Sequence, residues 1–225
     1  MAGPFLLLLD LAGVAVFAAA GALAASRRQL DIVSFLFMAA VTGLGGGTLR
    51  DLLLGATPIF WISDGRPLAL CAAVAVIVYL FAHKLESRYR ALLWADAIGM
   101  AAYAIVGSAK ALAVGAGIAP AILLGVISAT FGGIVRDVLT GEKSVLLRRE
   151  VYVTAALLGA AVFVLADLAG LSRPLAVAAG FLAGFGLRAG ALLFGWALPI
   201  YRARPGAGQD RETPFKPDGP DEASG

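Results

Sequence analysis

Seven stretches of this chain are apolar for long enough to cross a hydrocarbon layer, and any fold must accommodate all of them. They cover residues 5–25, 32–57, 67–83, 92–112, 118–140, 151–171 and 174–201. A helix crosses a core of about 30 Å with about 20 apolar residues. Backbone groups in hydrocarbon must bond to one another, which leaves helices and closed barrels as the only spanning structures. Unbroken apolar runs without alternation are helices. Composition agrees: 60% of residues are hydrophobic, 15% are charged, and mean hydropathy is +0.87. A soluble domain is about 45–50% apolar and about 25% charged. The sequence predicts an all-α membrane protein with seven transmembrane helices.

The first stretch has no basic leader, and Asp10 interrupts it, so it reads as a retained span rather than a cleaved signal. Cys71, the single cysteine, lies inside an apolar block and reads as a small buried hydrophobe. The lone His83 sits at a segment end, as an interfacial residue does. Residues 202–225 are rich in Pro, Gly and charge and read as a disordered tail. Basic residues flanking the spans fall ten on one side (Arg27, Arg28, Lys84, Arg88, Arg90, Lys143, Arg148, Arg149, Arg202, Arg204) and three on the other (Arg66, Lys110, Arg173). The basic side is cytoplasmic, which predicts an outside N-terminus and a cytoplasmic tail.

Sliding the chain by 86 residues reveals a repeat. Asp10 falls on Asp96, Gly46–Gly47 on Gly132–Gly133, Arg50–Asp51 on Arg136–Asp137 and Gly55 on Gly141, with 13 identities in the 46 positions from 10 to 55. An alanine- and glycine-rich background supplies some of these, but it does not put Asp, Arg and Asp in one register. Each copy holds three spans, so the second enters from the opposite face. The result is an inverted repeat of the kind that places a site where the copies meet. The predicted organisation is a transmembrane domain over 1–201, with repeat one at about 5–83, repeat two at about 92–171 and a seventh helix at about 174–201.

The run Gly45, Gly46, Gly47 and its mate Gly132–Gly133 admit several readings. A dinucleotide fingerprint fails, because Thr48 stands at its last glycine and membrane spans flank it; a phosphate loop lacks its Lys. Close helix packing explains scattered glycines such as Gly13, Gly21, Gly180, Gly184 and Gly190. Consecutive glycines carry little helical preference, so spans two and five are expected to kink and break there. Freed carbonyls near the midplane would then suit a small cation such as K⁺.

Asp10, Asp96, Arg50, Asp51, Arg136 and Asp137 all lie in spans or at their ends. Charges there line a bundle interior or a water path. The alternative is internal pairing, Arg50 with Asp51 or Asp10 and Arg136 with Asp137 or Asp96. An arginine in a cation path must be paired or displaced to let ions through, which makes Arg136 and Arg50 candidate gates. Arg188, deep in the seventh span, is left open between path, subunit contact and lipid headgroup. No catalytic constellation, metal-ligand spacing, cofactor motif or nucleic-acid partner is evident.

The stretches "GLGGGTLRDLLLG" with "PIFW", "FGGIVRDVLTGE" and "LLRREVY" resemble the bacterial branch of the trimeric intracellular cation channel family over roughly residues 5–200. The resemblance implies seven spans, a homotrimer in a bacterial plasma membrane, and one pore per protomer between kinked spans two and five. It also implies conduction chiefly of K⁺, with membrane lipid as the other candidate ligand. A basic residue after the fifth-span glycines is linked to gating in the family, and the matching residue is Arg136. Animal members place an acidic residue directly after a lysine and bind phosphoinositide, whereas this chain has Arg136–Asp137. Bacterial relatives are also labelled glycine transporters, so a secondary carrier of glycine or another small solute is the alternative. Most of the seventh span is expected to pack inside its own protomer, with apolar faces of spans one, two, four and five meeting neighbours.

Overall fold

The computed structural model describes residues 4–85, 87–142, 144 and 151–198. Its helices are α1 (Pro4–Arg27), α2 (Ile32–Leu53), the short α3 (Phe60–Ser63), α4 (Arg66–Phe81), α5 (Arg88–Ala113), α6 (Ile118–Leu139), α7 (Val153–Leu168) and α8 (Arg173–Phe194), with a 3₁₀ turn at Ala82–Lys84. Six of them are long and apolar enough to cross a membrane; α7 is apolar but has 16 residues, about 24 Å of helix. The fold is all-α and multi-pass.

Local chemistry sets the helix ends. Asp31 accepts the Ser34 N–H at 2.7 Å and caps α2; that bond holds the exposed carboxyl below its usual range. Ser87 caps α5 in the same way. Span two was expected to reach residue 57, but α2 stops at Leu53 because Gly55 turns left-handed at φ 63°. The Gly55 N–H then bonds Leu52 and the Ala56 N–H bonds Asp51, closing the last turn. The seventh span likewise stops short at Phe194, where Gly195 adopts φ 68°. The expected disordered tail at 202–225, and residues 146–150 of the "LLRREVY" motif, lie outside the described residues.

The repeat is present in three dimensions. Gly141 copies Gly55 at φ 64°, and Glu142 N–H to Asp137 copies Ala56 N–H to Asp51, each at 2.9 Å. α1 packs on α2 as α5 packs on α6, α4 leans on α1 and α2 as α7 leans on α5 and α6, and α2 crosses α6. Asp10 meets Lys110, joining the start of α1 to the end of α5, while Arg27 lies over Tyr89, joining the end of α1 to the start of α5. The two repeats are therefore antiparallel. Phe17 and Tyr103, 86 residues apart, meet edge to face at 5.4 Å on the axis between the copies.

α8 stands outside this symmetry. It packs on α7 and α5 of its own protomer, and Gly159 and Gly184 bring the α7 and α8 backbones together. Spans one, two, four and five each keep apolar residues on their outer surfaces, such as Leu8, Phe37, Ile98 and Leu123, while their inner sides pack within the protomer. Val14, Phe17 and Ala18 of α1 and Met100, Ile105 and Val106 of α5 are buried within the protomer. Pairing the repeats back to back buries that side of α1 and α5. Exposed apolar residues also lie on α4 (Ile77, Leu80) and α8 (Leu182, Leu193).

Candidate functional site

The glycines meet at the crossing of α2 and α6. Both helices run unbroken through Gly45–Gly47 and Gly132–Gly133, which corrects the expected helix break and its freed carbonyls. A glycine weakens a helix by only about 1 kcal/mol, whereas a backbone group left unbonded in hydrocarbon costs several kcal/mol. The glycines instead let two backbones touch. A Cβ on Gly46 would lie 2.0 Å from the Ser128 carbonyl oxygen, and one on Gly132 would lie 2.3 Å from that of Thr42. These contacts are reciprocal, since Thr42 and Ser128 also stand 86 residues apart. Gly45 faces Gly132 Cα at an ordinary 3.6 Å. The α2–α6 seam is therefore closed at its middle.

A charge cluster lies at each end of the seam. Arg50 and Arg136 sit in the last turns of their helices, where the negative end of the helix dipole favours a cation. In the cluster at the end of α6, Arg136 donates from Nη1 to Asp96 at 2.6 Å, and from Nε and Nη2 to Asp137 at 2.9 and 2.8 Å. Both proposed partners are used, and all three residues are buried. The Tyr152 hydroxyl lies beside Gly133, and the buried Arg188 lies 5.1 Å over the Tyr152 ring. Arg188 thus faces the protein interior on the side of this cluster.

The cluster at the end of α2 is wired differently. Arg50 donates from Nε to Asp51 at 2.8 Å. Its Nη2 lies 2.7 Å from the same carboxylate without hydrogen-bond alignment. Asp10 does not pair with Arg50; it takes Lys110 at 2.9 Å. Asp51 also accepts the Phe60 N–H at 3.0 Å, and Trp61 donates from Nε1 to Thr48 at 3.0 Å, so α3 is pinned over the end of α2. A cavity of about 630 Å³ opens beside this cluster, with Asp10, Phe60, Asp64, Lys110 and Arg173 in its wall.

Sequence reasoning brought together Asp96, Arg136 and Asp137, and paired Arg50 with Asp51. It missed Lys110, Phe60, Trp61 and Tyr152. Lys110 has Ala24 as its repeat mate, so a symmetry search passes over it. Thr42 and Ser128 were findable, because the register places a small hydroxyl residue at both. Among the described residues no group of three or more His, Cys, Asp or Glu is placed to hold a metal. Cys71 is buried, with its sulfur against Gly43.

Comparison with known proteins fits this two-part architecture. A family model described as glycine transporter matches residues 7–84 and 93–167, one repeat each. The solved structure of a trimeric intracellular cation channel orthologue from Rhodobacter sphaeroides is 52% identical, covers 85% of this chain and 99% of that one, and superposes with a TM-score of 0.83. A membrane protein of Vibrio cholerae designated UPF0126 is 38% identical over 201 residues, which is 87% of this chain and 82% of that protein. The inner membrane protein YadS of Escherichia coli (strain K12) is 36% identical over 152 residues, 67% of this chain and 73% of that protein. Two inverted repeats crossing at paired glycines, each ending in an Arg–Asp pair, place the chain in the trimeric intracellular cation channel family, to whose repeats the glycine transporter model corresponds.

Proposed function

We propose that this protein is a channel for monovalent cations, chiefly K⁺, and not an enzyme, with one path per protomer along the α2–α6 seam. The observation that carries this reading is the pair of buried Arg–carboxylate clusters at opposite ends of one symmetric glycine seam. In this reading the closed state is the one with the α2 and α6 backbones in contact at Gly46 and Gly132. Opening requires α2 and α6 to part or bend at Gly46 and Gly132, where no side chain locks them together. Gly45, Gly47 and Gly133 belong to the same two glycine runs. The carbonyls of Thr42 and Ser128 would then face the path and offer oxygen ligands to a partly dehydrated cation.

Arg136 and Arg50 act as gates in this scheme. In a narrow low-dielectric path each raises the barrier for a cation, and pairing with Asp10, Asp51, Asp96 or Asp137 lowers it. The protein assembles as a homotrimer in a bacterial inner membrane, in contact with lipid, with its N-terminus outside and its tail inside. Purified protein in a planar bilayer tests the function: unitary currents carrying many ions per opening support a channel. The match to a family described as glycine transporter favours one competing reading, a carrier of glycine or another small solute. Slow, saturable, solute-coupled flux without unitary steps would establish that reading instead.

A further inference from the structure

The two charge clusters occupy matching places in the two repeats, and one side chain accounts for their different wiring. At Gly133 a Cβ would lie 3.3 Å from both Asp96 Oδ1 and the Tyr152 hydroxyl. The carboxylate fills that niche and reaches Arg136. At Gly47, the matching position, the niche is filled by the Phe60 ring, whose Cε1 lies 2.7 Å from where a Cβ would be. Arg50 and Lys110 both lie over that ring, at 5.5 and 5.3 Å from its centroid. Asp10, the counterpart of Asp96, is bonded to Lys110 and leaves Arg50 with Asp51 alone. Arg50 is fully buried, yet its Nη1 has no acceptor among the described residues. Lys110, which holds Asp10, shares the Phe60 ring with Arg50, so a second carboxylate stands across that ring from the guanidinium.

We propose that Phe60 is a removable wedge at the outer end of the seam: in place it keeps Asp10 on Lys110 and off Arg50, and on withdrawal Asp10 and Arg50 pair as Asp96 and Arg136 do. A buried guanidinium with an unmade hydrogen bond favours the exchange, and the hydrophobic seating of the ring opposes it. The ring rides on α3, a helix of four residues held to α2 by the Phe60 N–H and the Trp61 indole. Lys110 has a side chain 28% exposed, so once released it reaches water. Phe60 also forms part of the wall of the outer cavity, and its withdrawal joins that cavity to the end of the seam. The positioning role of Phe60 stands on geometry alone; only the consequence, an opened outer mouth, rests on the channel reading.

A double-mutant cycle on the purified protein tests the wedge without any current. Lys110→Met is expected to lower the melting temperature by several degrees in the wild-type background, because Asp10 loses its partner. In the Phe60→Ala background the same change is expected to have little effect, because Asp10 then has Arg50. Phe60→Leu keeps the apolar bulk, and there the full Lys110→Met effect should return. If Phe60→Ala does not fold, Phe60→Val serves in its place and is expected to give the same sign. An equal effect of Lys110→Met with and without the ring would overturn the proposal. In bilayers Phe60→Ala is expected to raise open probability several-fold and Phe60→Leu to leave it unchanged. A non-additive cycle in a protein that never shows unitary current would overturn the channel reading and leave the wedge standing. A non-additive cycle with unaltered gating would overturn the link between wedge and opening.

Discussion

At the residue scale, adjacent glycines of the α2 run have different duties, and substitution separates them. A methyl on Gly46 meets a carbonyl oxygen of a neighbouring backbone at 2.0 Å, while one on Gly45 finds ordinary contact at 3.6 Å. Gly46→Ala is expected to destabilise by about 1–3 kcal/mol through overpacking. Gly45→Ala is expected to be neutral, or to gain up to about 1 kcal/mol from helix propensity. Thermal melts of the two variants in one detergent check this, and equal melting temperatures would refute the backbone contact. The arginines divide as well. Removing Arg136 takes an ion pair from two buried carboxylates, Asp96 and Asp137, and breaking a buried ion pair costs about 3–5 kcal/mol. Arg50→Ala is expected to cost less, because Asp51 keeps the Phe60 N–H and Asp10 keeps Lys110. The same melts rank the pair, and a larger loss for Arg50→Ala would contradict the wiring. The Arg and Asp positions were legible in the sequence because polar identities do not recur in register by accident. Lys110 and Phe60 were not, because one has no repeat mate of its kind and the other sits in a connection whose path the apolar pattern leaves unspecified.

Among the elements, most span ends were legible to within about four residues because apolar length defines them, while the seventh ends at Phe194 rather than at 201 because Gly195 turns the chain. α6, expected over 118–140, occupies Ile118–Leu139. The predicted break was not found, because weak helical preference at three glycines was weighed without the stronger demand of hydrocarbon for bonded backbone. The short α3 was missed, since four residues carry no periodic signal. The repeat also yields a paired expectation at the helix ends. Gly55 and Gly141 hold φ 63° and 64° with almost open space around their Cα atoms, so replacement by Ala meets backbone strain rather than a clash. Gly55→Ala and Gly141→Ala should each cost about 1–2 kcal/mol, and by similar amounts. Markedly different losses in melts would mean that the two ends do not share a turn geometry.

For the whole molecule, antiparallel repeats are tied by Asp10–Lys110 at one end and by Arg27 with Tyr89 at the other, and between them the α2–α6 seam is a backbone contact made at glycines. The inverted organisation was legible from the odd number of spans in each copy. The burial of one side of α1 and α5 against each other was not, because apolar faces look alike to a sequence whether they meet lipid, a second subunit or the other repeat. Cross-linking in native membranes is expected to stop at trimers, and a ladder ending at dimers would count against the proposed assembly. The central claim is that the seam conducts cations. Its most direct test is single-channel recording of the purified protein in a planar bilayer under a KCl gradient. The account expects discrete unitary currents that reverse on the K⁺ side of zero and a loss of open probability when Gly46 is replaced. Currents reversing on the Cl⁻ side, or solute-coupled flux with no unitary events, would contradict it.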